Sequence, residues 1–67
     1  MDKYSILIQY CDIDNIYVAK VQELEGCMAH GDTPEEAAKE IQIAMRLWLE
    51  VAKDKGIYIP EPVMYAG

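Results

Sequence analysis

Apolar and polar residues alternate from Lys3 to Tyr10. Tyr4, Ile6, Ile8 and Tyr10 fall on one face, and Lys3, Ser5, Leu7 and Gln9 on the other. Period two, with β-branched and aromatic residues, predicts a half-buried strand. Asp12-Ile13-Asp14-Asn15 supplies turn formers. A second strand follows over Ile16 to Gln22, with the odd positions Tyr17, Ala19 and Val21 directed at the core. Glu25-Gly26 marks another turn, and Cys27 to His30 reads as a short third strand.

The strongest local signal lies at Thr33-Pro34-Glu35-Glu36. Thr33 can cap the N–H of Glu36, and Glu36 can reach back to the N–H of Thr33, as in a capping box. Pro34 at the first helical position presets φ and gives up no needed donor. A helix is expected from here to Lys55, with Gly56 as its left-handed stop and Lys53 and Lys55 in its last turn. Ile57-Tyr58-Ile59 is a short extended segment, and Pro60-Glu61-Pro62 keeps the chain extended.

On a helical wheel, Ala37, Ile41, Ala44, Trp48, Val51 and Ala52 form a central stripe. Met45 and Leu49 flank it on one side, Ile43 and Leu47 on the other. The apolar arc spans roughly 240°, well beyond what one sheet face covers. The excess is expected to meet a second copy, in a homodimer or higher even oligomer, with Ile43, Leu47, Met45 and Leu49 as interface candidates. The competing reading is that the C-terminal segment folds back over it.

Composition narrows the function. With 67 residues there is room for one small domain, and 52% apolar residues with 27% charged is a soluble globular composition. No apolar run is long enough to cross a membrane, and the start Met1-Asp2-Lys3 lacks a signal core, so a cytoplasmic protein is expected. Twelve acidic residues against six Lys plus Arg give a net charge of -6, which disfavours direct nucleic-acid binding. Between Asp12 and Glu36 lie Asp12, Asp14, Glu23, Glu25, Asp32, Glu35 and Glu36, with Lys20 the lone basic residue. Such a stretch is either a solvated surface or a docking face for a basic partner. Asp12, Asp14, Glu23 and Glu25 are the docking candidates, because the helix start already accounts for the other three.

Candidate chemistry is sparse. Asp12-x-Asp14 does not open a calcium loop, since Tyr17 stands where the sharp turn needs glycine. Cys27-x-x-His30 has no second pair, and a single histidine cannot complete a zinc site within one chain. The two cysteines are expected as reduced thiols. No Ser-His-Asp arrangement, phosphate loop or metal site is visible, so no cofactor is expected. A binding protein is favoured over an enzyme.

Four segments then stand out in order: Tyr17-Val18-Ala19, Leu24-Glu25-Gly26-Cys27, Gly31-Asp32-Thr33-Pro34-Glu35-Glu36-Ala37, and Gly56-Ile57-Tyr58-Ile59-Pro60-Glu61-Pro62. Together they resemble the HicB-like antitoxin family, from about Tyr4 to Pro62. Gln22 departs from the pattern, which has proline there. The resemblance implies a partial ribonuclease-H-like α+β domain: a three-stranded antiparallel sheet, one long packed helix and a short C-terminal strand. It implies a partner as well, a small basic HicA-like toxin that cleaves messenger RNA. Many such proteins carry a further DNA-binding domain; this chain reads as a single domain, 1–67, without one. The alternative is an orphan oligomeric domain that binds another protein or a small ligand.

Overall fold

The computed structural model describes residues 3–66; Met1, Asp2 and Gly67, the ends of the expected 1–67 domain, lie outside the described residues. Strands β1 (Ile6–Cys11), β2 (Ile16–Val21) and β3 (Met28–Gly31) are followed by one helix, α1 (Pro34–Lys55). The strands form an antiparallel sheet in the order β1-β2-β3, with Ile6 opposite Val21 and Lys20 opposite Met28. The α+β architecture expected from the sequence is present.

The first hairpin closes through Asp12–Asn15. Asn15 carries φ 55°, a left-handed conformation that asparagine tolerates better than most residues. The turn signals thus fell where the chain reverses. Strand limits moved by one to three residues. β1 starts at Ile6 rather than Lys3, β2 ends at Val21 rather than Gln22, and β3 runs Met28–Gly31 rather than Cys27–His30. Strand ends depend on a partner across the ladder, which alternation along one strand does not report.

The helix matches its expected limits because its ends are encoded locally. Thr33 Oγ1 accepts from the N–H of Glu36 at 3.1 Å. Gly56, at φ 67°, turns the chain out of the helix, and the N–H of Ile57 returns to the Ala52 carbonyl at 2.8 Å. One detail differs: Glu36 Oε1 accepts from the N–H of Asp32, at 2.7 Å, and not from that of Thr33. Thr33 is extended (φ -131°, ψ 161°), so successive N–H groups point to opposite sides, and Asp32's faces the carboxylate.

The core gathers Ala19, Val21, Leu24, Cys27, Ala37, Ile41 and Met45, between the helix and one face of the sheet. Each fully buried Leu, Ile or Val contributes about 1.5–3 kcal/mol of hydrophobic stabilisation. Close approach is built into the helix start. A Cβ on Gly31 would stand 2.5 Å from the Ala37 nitrogen and 2.8 Å from Glu36 Cβ, so only glycine admits the helix here. The inner stripe of α1 is Ala37, Ile41, Met45 and Ala52.

This corrects the expected interface. Met45, at 2% exposure, is a centre of the chain's own core, and Leu49 is half-buried against it. Ile43, Leu47 and Val51 instead form the outward ridge. A wheel gives the spacing of a stripe but not its rotation. The rotation is set by the Gly31 contact at one end of α1 and by Trp48 at the other.

The expected short C-terminal strand is absent from the described residues: 57–66 joins no sheet. That segment is tied down differently. The Tyr4 hydroxyl donates to the Pro60 carbonyl at 2.6 Å, and the N–H of Val63 donates to Glu23 Oε2 at 2.8 Å.

Candidate functional site

The β2–β3 loop is self-bonded: the N–H of Leu24 donates to the Val21 carbonyl and that of Cys27 to the Leu24 carbonyl. This buries Leu24 and Cys27 and turns at Gly26, φ 79°. Trp48 Nε1 then donates to the Glu25 carbonyl at 3.0 Å and fastens the loop to α1. Beyond the helix stop, Ile57, Tyr58 and Pro60 run alongside.

These three elements enclose an open groove of about 730 Å³. Leu47, Trp48 and Val51 line its helix side, Cys27 and Met28 its strand side, and Tyr58 its tail side. Leu47 and Met28 are each 56% exposed, so the groove presents apolar surface to solvent. The charged residues on its wall are Glu23 and Glu25, with no Lys or Arg. An apolar trough with an acidic rim fits an apolar anchor that sits beside a cation.

The four docking candidates do not form one site. Asp12 and Asp14 occupy the exposed hairpin that precedes β2; Glu23 and Glu25 follow β2 at its other end. A six-residue strand separates the pairs by about 20 Å. Nor is Glu23 a free charge. Its carboxylate accepts from the N–H of Ser5 at 2.9 Å, the Ser5 hydroxyl at 3.0 Å and the N–H of Val63. Partial burial pushes its pKa up, but the bonds from Val63 and Ser5 outweigh this and hold it below the ordinary glutamate range. It clamps the tail to the sheet. Glu25, Asp12 and Asp14 remain exposed.

Both cysteines are free thiols. Cys27 points into the core, and burial raises its thiol pKa, which leaves it protonated and unreactive. His30 is exposed on the other face of β3, so the two cannot act together. Among the described residues, no group of three or more His, Cys, Asp or Glu could hold a metal ion, and no helix is long and apolar enough to cross a membrane.

The groove was not legible in the sequence, because it joins residues 23–28, 44–52 and 57–60. The signal present was the excess apolar arc of α1, half of which now has a place.

The described residues form a small α+β domain of three strands and one helix that carries an open apolar groove. Comparison with known proteins carries this further. The family model for the HicB-like antitoxin of bacterial toxin–antitoxin systems matches residues 4–66. A UPF0150 protein of Synechocystis is 39% identical over 57 residues, covering 85% of this chain and 77% of its own length. A UPF0150 protein of Thermoplasma acidophilum is 38% identical over 58 residues, covering 87% of this chain and 83% of its own. No solved structure matches. The chain belongs to the HicB-like antitoxin family.

Proposed function

We propose that this chain neutralises a small, basic, mRNA-cleaving HicA-like toxin by protein–protein contact, as a binding protein and not an enzyme. Family membership supports an antitoxin role in general. The observation that carries the specific reading is the groove: apolar, open, and bordered by carboxylates alone. A basic RNA-binding protein offers cations beside apolar anchors, and Glu25 answers the first while Leu47, Trp48 and Val51 answer the second. Asp12 and Asp14, with the net charge of -6, steer the encounter from a distance. The groove volume also favours a second reading, an orphan domain holding a small apolar ligand, since about 300–1,000 Å³ is the usual range for such sites.

The test is co-expression with any small basic protein whose reading frame adjoins that of this chain. Rescue of growth and a copurifying complex are expected, and Leu47→Glu with Val51→Glu abolishes both. Neutralising Asp12 and Asp14 slows association and flattens its salt dependence but leaves the complex intact. A complex lost on neutralising Asp12 and Asp14, yet untouched by the groove variants, would move the site to the hairpin. No complex with a neighbouring basic protein, even at low salt, overturns the antitoxin reading.

A further inference from the structure

The free edge of β3 opens onto the groove, whose strand side is Cys27 and Met28. The Val21 N–H donates to the Cys27 carbonyl at 3.1 Å, which fixes the parity of that ladder. Odd residues of β3 bond to β2, so Met28 and His30 turn their N–H and C=O groups outward. Among the described residues, no backbone bond from outside the sheet reaches either of them. Met28-Ala29-His30-Gly31 holds no proline, no Lys and no carboxylate, so shortness is the one guard on this edge. β1 is an edge too, but the groove is lined by 23–28, 44–52 and 57–60 and does not touch it.

Side-chain parity sets what an added strand would place where. Ala19 is fully buried and lies opposite Ala29, so the odd residues of β3 face α1 and the even ones face away. A residue of an added strand that stands opposite Cys27 or Ala29 points to the helix side as well. There Leu47, at 56% exposure, lies uncovered beside Trp48. The residues opposite Met28 and His30 make the backbone bonds and face away from the helix. Next to Cys27 the loop turns at Gly26 and sets the exposed Glu25 on the groove wall, where no Lys or Arg stands. A cation two positions beyond the Cys27 anchor meets that carboxylate, and an acid there is repelled.

We propose that the groove takes its basic partner as an added strand. An extended segment of that partner pairs antiparallel with Met28 and His30 and reads apolar, any, apolar, any, Lys or Arg. The proposal rests on the antitoxin reading for the partner's basic character and goes beyond it in naming the conformation that is bound. Backbone bonds to β3 give the affinity; the two apolar positions and the cation give the selectivity. A helix in the groove would leave the outward groups of Met28 and His30 to water.

The test uses the whole chain and a synthetic acetylated, amidated peptide, Thr-Val-Thr-Val-Thr-Lys, with Trp48 fluorescence as the readout. Saturable binding with Kd below about 1 mM is expected, together with slowed amide exchange at Met28 and His30. In this register the first two threonines turn their N–H groups to β3, and the valines turn theirs away. N-methylation of those threonines weakens binding by about tenfold or more, and N-methylation of the valines changes it by less than about twofold. Leu47→Glu abolishes binding with an unchanged circular dichroism spectrum, since the residue is exposed. Glu25→Gln weakens it by about threefold at low salt. No binding, equal loss from both methylations, or tighter binding of a peptide with its valines at helical spacing overturns the proposal. So does protection of Met28 and His30 in the free chain that grows with its concentration, because a second copy then holds the edge. Each reading can fail alone. A copurified complex with a basic protein in which the Met28 and His30 amides stay fast overturns the added strand and leaves the antitoxin role. Peptide binding with the expected methylation pattern, but no complex with a basic protein, supports the strand site and removes the antitoxin role.

Discussion

The indole N–H of Trp48 donates to the backbone carbonyl of Glu25, 23 residues away in sequence. The bond ties the β2–β3 loop to the helix at the wall of the groove. Trp48→Phe keeps an apolar ring and removes the donor. The carbonyl left behind is open to water, so the expected loss is about 0.5–1 kcal/mol. Urea denaturation measures it, and a groove that still binds its partner would show that the ring, not the bond, shapes the site.

Gly31 and Gly26 should respond differently to alanine. At Gly31 the new methyl meets the helix backbone at 2.5 Å, so Gly31→Ala costs about 1–3 kcal/mol or more through displacement of α1. At Gly26 nothing lies within 4 Å, and the cost is that of φ 79° alone, about 1 kcal/mol. Thermal melts of the two variants should rank in that order, with near-native spectra for Gly26→Ala.

Removing the helix cap by Thr33→Ala should cost about 1 kcal/mol. Glu36→Ala should cost less, since its exposed carboxylate serves only the N–H of Asp32. Both changes loosen the same turn, so the double variant should cost less than the sum. Strict additivity would mean that the two bonds act independently.

Acid should free the tail before it unfolds the core. Glu23 has a lowered pKa in the folded chain, so the stabilisation it gives is present above its unfolded value and is lost as pH falls through the folded one. The clamp therefore holds at neutral pH and opens below the ordinary glutamate range. Amide exchange at Val63 should rise on acidification while that of Ile41 stays slow. Glu23→Gln should give the fast Val63 exchange already at neutral pH.

What the sequence disclosed and withheld follows from the range of each interaction. The helix was readable from Thr33 to Gly56 because its cap and its stop lie within a few residues of each end. The inward set Tyr17, Ala19 and Val21 was readable because alternation is a local property. The position of Met45 was not, because the helix is rotated by contacts with Gly31 and Glu25, far off in sequence. Glu23 looked like a surface charge, since nothing nearby announces Ser5 or Val63 as its partners. Grouping it with Asp12 overlooked that β2 stands between them as a spacer.

The hydroxyl of Tyr4 and the carbonyl of Pro60 meet across 56 positions of sequence. Closing a loop of that length is entropically slow, so this contact should form after the hairpins and the helix. It also joins the entry of the first strand to the segment that follows the helix, so two parts of the chain far apart in sequence are held at one place. A force that pulls the tail away from the sheet would load the Tyr4–Pro60 and Glu23–Val63 bonds first, before the helix or the ladder is strained.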